Sequence, residues 1–320
     1  MDITAAPTQI QQFEDLLQSL LSEIGATNDL LYLYQGFWYR PGALKGFMAA
    51  QKHFQAQPTD IILVTAAKSG TTWLKALAFV ITHRSQYTVN DPDHPLLTNN
   101  PHNLVPSLNL IYGGDKVVDH SINSTTPRLF AAHVHYATLP DSVRSSKCRV
   151  IYMCRNPKDI FLSMWHFGNK ILSQEVPLEQ AFNKFCDGVS WYGPLWEQAV
   201  EYWKLSLEKP EEVLFLKFED LKEDCVFQLK RMAEYLGCPF SMKEESEGVI
   251  EEIVRMCSFE CLSNLEVNKT GKSFDLGIEN RHFFRKGEVG DWMNVLTPSM
   301  VERLDQVLEQ KLHGSGLNLK

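Results

Sequence analysis

Four short apolar runs, separated by helical patterns, constrain the fold of this chain more than any other feature. They are rich in Val, Ile, Leu and Phe, lack a regular alternation with polar residues, and cover residues 61–65, 129–133, 149–154 and 213–217. Strands that are covered on both faces have this composition. Helical patterns lie between and after them, at residues 71–84, 157–171, 178–185, 195–207, 220–236 and 298–312. The alternation predicts an α/β fold in which helices flank a central, mostly parallel sheet.

Length and composition favour one domain. The 320 residues are 44% hydrophobic and 22% charged, and no break in composition divides them. These values are ordinary for a globular protein, so we expect a single domain over residues 1–320. Two stretches, 89–118 and 264–290, are rich in Asn, Gly and charged residues. We predict them as long irregular loops, which often cover binding sites.

Charge and cysteine content narrow the partners and the compartment. The formal net charge is −8, which argues against nucleic acid and against an anionic membrane surface. The N-terminus lacks a signal-peptide pattern, and no apolar run reaches the roughly 20 residues that span a bilayer. The seven cysteines are odd in number and form no CxxC pair. We therefore expect reduced thiols and a cytoplasmic protein.

A cluster of small and polar residues follows the first predicted strand. It consists of Lys68, Ser69, Gly70, Thr71 and Thr72. Small residues let the backbone fold around a ligand, and the N–H groups at a helix start bind anions. We interpret the cluster as a phosphate site; the alternative is a capped turn with a solvated lysine. The usual P-loop pattern is absent, because this lysine precedes the only glycine.

Three segments together resemble the nucleotide-binding motifs of the cytosolic sulfotransferases. KSGTTWLKAL is similar to the family's 5′-phosphosulfate loop, YMCRNPKDIFLSMWHF to its 3′-phosphate segment, and FFRKGEVGDW to its C-terminal nucleotide signature. LFLKFEDLKED and SNLEVNKTGK are more similar to the plant branch than to the animal branch. The resemblance implies a P-loop-like sulfotransferase fold. Residues 55–320 would bind 3′-phosphoadenosine 5′-phosphosulfate (PAPS), and a helical segment, residues 1–54, would contribute to the acceptor pocket.

The resemblance also implies a reaction. The family transfers a sulfuryl group from PAPS to a hydroxyl or an amine, without a metal, and releases 3′-phosphoadenosine 5′-phosphate (PAP). For this chain we expect a hydroxyl of a small, largely apolar acceptor, since aromatic residues flank the predicted pocket. Phenols and flavonoids, steroids such as brassinosteroids, and hydroxyjasmonates are the candidate acceptors. The alternatives are a nucleotide-dependent small-molecule kinase and a non-catalytic nucleotide-binding module.

Matching positions imply how the phosphates are bound. Residues 68–72 correspond to the family's site for the 5′ end of the donor. Arg155 and Ser163 correspond to its 3′-phosphate site, and Arg285, Lys286 and Gly287 to a second clamp on the same phosphate. Arginine suits this role because its planar guanidinium binds phosphate with two hydrogen bonds. The alternative for Arg155 is an ordinary salt bridge at a helix start.

Aromatic residues are implied to enclose the adenine. Trp73 corresponds to the family's stacking tryptophan and Phe259 to a second ring contact. Phe218 stands where the family has a tyrosine, so one hydrogen bond to the adenine is expected to be missing. The alternative for Trp73 and Phe259 is packing in the core.

The resemblance assigns the catalytic residues. His133 matches the general base, and a histidine pKa near 6.5 suits that role at neutral pH. Lys68 would neutralise charge on the leaving oxygen, and Ser163 would hold Lys68 back until the acceptor arrives. His135 either lines the acceptor pocket, duplicates the base, or forms an HxH metal site. The last alternative lacks a third ligand at useful spacing, and we expect no metal.

Several positions depart from the family pattern. Ala67 replaces a proline, and Ala131 replaces a lysine found in animal members two residues before the base. Met293 and Pro298 replace the lysine and valine of a dimer motif, which predicts a monomer or a weak homodimer. Phe37, Trp38, Phe167 and parts of the stretches 89–118 and 264–277 are predicted to line the acceptor pocket.

Overall fold

The computed structural model describes residues 9–113, 127–273 and 277–319. Seven strands occur in this part of the chain: β1 Ser22–Ile24, β2 Leu30–Tyr34, β3 Phe37–Tyr39, β4 Ile61–Thr65, β5 Leu129–Ala132, β6 Arg149–Cys154 and β7 Val213–Lys217. The last four form one parallel sheet in the order β5-β4-β6-β7. All four were predicted, and the α/β class with a mostly parallel sheet is confirmed.

Helices surround the sheet. Those of eight or more residues are α1 Gln9–Ser19, α2 Pro41–His53, α3 Thr71–His83, α8 Pro157–Ile171, α9 Leu178–Cys186, α10 Leu195–Glu208, α12 Cys225–Tyr235, α14 Val249–Met256 and α17 Pro298–Leu312. The shorter ones are α4 Pro95–Thr98, α5 Pro101–Leu104, α6 Leu108–Gly113, α7 Asp141–Ser146, α11 Phe218–Glu223, α13 Met242–Ser246, α15 Phe259–Asn264 and α16 Glu266–Thr270. The helix predicted over 220–236 is divided at Asp224, whose side chain accepts a hydrogen bond from Phe227 N–H and caps α12.

The two faces of β4 belong to different hydrophobic clusters. Ile61 and Leu63 pack with α3, α12 and α14, whereas Ile62 and Val64 pack with α2, α6 and α10. Successive side chains of a strand point to opposite faces, so a strand covered on both sides is apolar throughout. This arrangement explains why the sequence of β4 shows no alternation.

The N-terminal region corrects one prediction. Residues 1–54 were expected to be helical, but β1, β2 and β3 form an antiparallel sheet between α1 and α2. Gln35 and Gly36 connect β2 to β3, both with positive φ. Two such residues form a tight turn whose twist suits a hairpin. The pair Gln-Gly is a weaker signal than Asn-Gly, and the hairpin was missed.

The two stretches predicted as irregular loops also contain regular structure. Residues 89–113 include α4, α5 and α6, and the side chains of His94 and Asn100 cap the first two. Residues 264–273 include α16, and a 3₁₀ turn covers Asn280–Phe283. These helices are too short to give a periodic pattern. Residues 114–118 and 274–276, which belong to the predicted loops, lie outside the described residues.

Candidate active site

A cavity of about 430 Å³ opens at the carboxyl ends of the parallel strands. Ligands bind at this edge in open α/β sheets. Most predicted site residues line it: Lys68, Gly70, Thr71, Thr72, Trp73, His133, Arg155, Ser163, Phe167, Phe218, Phe259, Arg285, Lys286 and Gly287. In the described part of the chain, no Asp or Glu side chain lines the cavity. In a chain of net charge −8, this favours a negatively charged ligand.

The loop after β4 is folded tightly. Lys68 has a φ of 69° and Gly70 a φ of 96°, and Ser69 N–H donates to the Ala66 carbonyl at 3.1 Å. A side chain at position 70 would meet the Phe218 ring, because an added Cβ would lie 2.7 Å from its Cδ2. The glycine is therefore required both by its backbone angle and by the close approach of Phe218. The helix α3 begins at Thr71 and presents its N-terminus at the cavity.

Lys68 is partly buried in the cavity wall. Its Nζ lies 3.6 Å from the ring centroid of Phe167. Burial, with the nearby charges of Arg285 and Arg155, lowers the pKa of Lys68 to about 7. Ser163 lines the same cavity as Lys68, and the contact of the Lys68 ammonium with the Phe167 ring is a cation–π interaction.

Two aspartates hold three further cations of the cavity. Asp291 accepts from Arg285 and Lys286, each at 2.5 Å. Asp159 lies 3.4 Å from Arg155 and also accepts from Gly290 N–H at 2.8 Å. The two carboxylates therefore orient three cations and attach the segment after Arg285 to the helix α8.

Several buried donors have no partner among the described residues. They are Ser69 Oγ, Trp73 Nε1, Arg155 Nε and Arg285 Nε. A buried donor left without a hydrogen bond costs about 1–3 kcal/mol. Trp73, Arg155 and Arg285 line the cavity, whereas Ser69 does not. The three lining donors fit a bound ligand that would accept from them.

Three rings enclose the region between the cations. The Trp73 and Phe218 ring centroids lie 5.5 Å apart, edge to face, and the Arg155 guanidinium carbon lies 4.4 Å from the Phe218 centroid. Gly287 has a φ of 67°, and a Cβ there would lie 2.5 Å from Phe259. This arrangement can hold a flat base between aromatic side chains, with cations at its edge.

His133 lies one residue after β5, at the cavity. Its Nδ1 lies 2.8 Å from the carbonyl oxygen of Thr65 and 3.1 Å from Thr65 Oγ1. A carbonyl only accepts, so Nδ1 carries the proton and Nε2 keeps its lone pair. Burial, together with Lys75 and Lys68, lowers the pKa of His133 to about 4, although the bond to Thr65 opposes the shift. The imidazole is neutral at pH 7 and can accept a proton.

The prediction of the acceptor pocket is corrected at three positions. The residues there do not line the cavity: His135, Phe37 and Trp38. His135 is 2% exposed, its Nδ1 lies 3.0 Å from Glu201, and its ring stacks on Phe37. Trp38 is buried in a third cluster with α8 and α9. The chain direction changes after β5, so positions 133 and 135 no longer share a face. Within the described residues, no group of three or more His, Cys, Asp or Glu could hold a metal ion.

Some cavity residues were not among the predicted site residues: Arg40, Lys170, Trp191, Tyr192 and Phe283. His102 and Ser107 line the cavity within the stretch 89–118, part of which was predicted to do so. Lys75, which was not predicted, contacts both of them. Lys75 is 1% exposed within the apolar helix α3. A lysine inside an apolar helical pattern is unusual, and this could have indicated from the sequence that Lys75 has a specific role. The other residues come from distant segments and carry no local motif.

Comparison with known proteins identifies the family. Residues 58–316 match the family model described as a sulfotransferase domain. The chain is 46% identical over 315 residues to cytosolic sulfotransferase 15 of Arabidopsis thaliana, covering 97% of this chain and 87% of the relative. It is 47% identical over 317 residues to cytosolic sulfotransferase 14, covering 97% and 91%. The names of these relatives agree with the predicted cytoplasmic location. Within the described residues, no helix is long and apolar enough to cross a membrane.

Solved structures have the same fold. An Arabidopsis thaliana protein provisionally named a steroid sulphotransferase is 38% identical, with a TM-score of 0.78 and complete coverage of both chains. Mouse sulfotransferase SULT7A1, solved with PAP, is 24% identical with a TM-score of 0.67 and covers 89% of this chain and 95% of its own. The family match confirms the predicted sulfotransferase rather than the kinase or the non-catalytic module. The chain therefore belongs to the sulfotransferase family and is an enzyme of that class.

Proposed function

We propose that the enzyme transfers a sulfuryl group from PAPS to a hydroxyl of a small, largely apolar acceptor and releases PAP. The observation that carries the proposal is one cavity that joins cations at two places to a neutral imidazole. Lys68 lies in the loop after β4, Arg155 follows β6, Arg285 lies in the C-terminal segment, and His133 lines the same cavity. A donor with phosphates at both ends of an adenosine requires this distribution of charge.

The donor-binding residues of the proposal follow from the cavity. Residues 68–72 would hold the 5′-phosphosulfate at the N-terminus of α3. Arg155, Ser163, Arg285 and Lys286 would hold the 3′ phosphate. The unpartnered donors at the cavity support this assignment, since a phosphate supplies the acceptors that they lack. The PAP bound to the mouse sulfotransferase of the same fold is a further support.

The residues of the chain suggest a direct transfer. His133 Nε2 accepts the proton of the acceptor hydroxyl, whose oxygen forms the new bond to sulfur. The bond between sulfur and the 5′-phosphate oxygen breaks, and Lys68 stabilises the negative charge that develops there. The pKa of Lys68 is about 7 in the free protein. Because a bound anion favours the charged form of the lysine, donor binding also raises the protonated fraction of Lys68.

The acceptor end of the cavity favours an aromatic or apolar acceptor that carries a negative charge. Phe167, Trp191 and Tyr192 form its walls, and Lys170 and Arg40 lie among the lining residues. Arg40 pairs with Asp29 at 3.0 Å and lies over Trp191. Of the three candidate acceptor classes, hydroxyjasmonates carry a carboxylate. We therefore infer a preference for hydroxylated acids over neutral phenols and steroids.

A transfer assay tests the reaction and the acceptor together. Labelled PAPS is incubated with phenols, steroids and hydroxylated oxylipins, and each acid is paired with its methyl ester. We expect sulfated product, and a higher kcat/KM for the acid than for its ester. PAP should also raise the Tm. A rise in Tm without product from any acceptor would contradict catalysis, and equal rates for acid and ester would contradict the charge preference.

A further inference from the structure

A buried lysine and histidine connect the interior of α3 to the donor loop. Lys75 is 1% exposed, and its Nζ lies 3.2 Å from Nδ1 of His102 and 3.4 Å from Oγ of Ser107. In its charged form Lys75 can only donate, so His102 Nδ1 then accepts and the imidazole proton resides on Nε2. The bond to Lys75 therefore selects one tautomer of His102.

The other nitrogen of the same ring contacts the donor loop. His102 Nε2 lies 3.0 Å from Oγ1 of Thr72. Because Nε2 carries the proton, the Thr72 oxygen accepts, and its own hydroxyl proton must be directed elsewhere. Thr72 lines the cavity, so the proton is available to an anion bound there. The His102 ring is stacked on Phe283 with centroids 4.2 Å apart, which restricts its rotation.

Burial and charge keep His102 in this neutral form. Burial, and next the charge of Lys75, hold the pKa of His102 well below its usual range. Lys75 also lowers the pKa of His133, after burial. Charged and titratable groups that face these two rings include Lys75, Lys68 and Tyr192. One buried cation thus acts on both the donor loop and the base.

We propose that Lys75, His102 and Thr72 form a positioning chain that sets the Thr72 hydroxyl as a hydrogen-bond donor to the transferring group. Thr72 is the member that would contact the donor, while Lys75 and His102 act through it. The proposal rests on the proposed function for its kinetic consequence. The tautomer of His102 does not depend on that function and can be tested separately.

The kinetic test is a double-mutant cycle with Lys75→Met and Thr72→Val. Each single variant should lower kcat by about 100-fold, the lower end of the range for loss of one oriented donor, while PAP still raises the Tm. The double variant should be within about threefold of Thr72→Val, because both changes remove the same interaction. Lys158→Met serves as the control, since Lys158 is buried and paired with Asp305. It should lower the Tm and leave kcat within about twofold.

The structural test is ¹⁵N NMR of histidine-labelled protein, with His102→Gln used to assign the resonance. We expect the Nε2–H tautomer of His102 in the wild type and its loss in Lys75→Met. Multiplicative losses of kcat in the double variant, or an unchanged tautomer in Lys75→Met, would overturn the positioning chain. Absence of transfer by the wild type, with the expected tautomer present, would refute the proposed function and leave the chain of contacts intact.

Discussion

Nδ1 of His133 and the carbonyl oxygen of Thr65 lie 2.8 Å apart. The bond fixes the tautomer and directs the basic Nε2 away from β4. We expect His133→Ala to lower kcat by about 10²–10⁴-fold, the usual contribution of a general base, with little change in PAP affinity. His135→Ala is the matched control and should retain kcat while lowering the Tm, because His135 contacts Glu201 instead of the cavity. Full activity of His133→Ala would contradict the assignment.

The low pKa of His133 predicts the acid limb of the pH profile. The neutral base is present above its pKa of about 4 and is lost as the pH falls through that value. At saturating donor, activity should therefore remain nearly constant from pH 8 to about 5, fall to about half at pH 4, and approach a tenfold decrease per pH unit below that value. Enzyme returned to pH 7 after each measurement should recover, which excludes unfolding. An acid limb near pH 6.5 would show that the pKa of His133 is not lowered.

The lowered pKa of Lys68 predicts proton uptake on donor binding. Lys68 has a pKa of about 7 in the free protein, so it is largely neutral at pH 8. A bound phosphate raises that pKa, and PAP binding at pH 8 should take up close to one proton, falling to about one half at pH 7. Calorimetry in buffers of different ionisation enthalpy measures this number. Lys68→Met should abolish the uptake; an equal uptake by the variant would assign it to another group.

Removal of Arg285 is predicted to weaken the binding of PAP. Arg285→Ala removes a charged donor whose Nε has no partner among the described residues. We expect PAP binding to weaken by about 1.5–3 kcal/mol, the scale of a hydrogen bond to a charged group. Arg231→Ala, which changes an exposed arginine, should leave the calorimetric Kd unchanged. Equal Kd values for Arg285→Ala and the wild type would remove Arg285 from the site.

Substitution of Gly287 tests two effects, backbone strain at a positive φ and a steric clash with Phe259. An alanine there would have both a positive φ and a Cβ 2.5 Å from Phe259. Gly287→Ala should raise the Kd for PAP by roughly tenfold or more, because Phe259 must move. Gly314 has a φ of 71° and open space around it, so Gly314→Ala isolates the backbone term. Gly314→Ala should lower the Tm and leave the Kd for PAP unchanged.

Local patterns in the sequence predicted the central sheet and the donor loop well. Apolar runs marked β4 to β7, and the residues of the loop at Lys68 are contiguous in the chain. Contacts between distant segments were harder to predict from the sequence. The pairing of Lys75 with His102 joins residues 27 positions apart, and no local period indicates it. The placement of His135 failed for a related reason, because the chain turns immediately after β5 and the strand periodicity no longer applies.

The carboxylate of Asp159, in the first turn of α8, contacts Arg155 just before that helix and the backbone of Gly290, 131 positions later in the chain. The two segments of the proposed 3′-phosphate site are consequently coupled through one carboxylate. A change that loosens the C-terminal segment would also tilt Arg155. Engineering of nucleotide preference in this scaffold would therefore have to treat both segments as a single module.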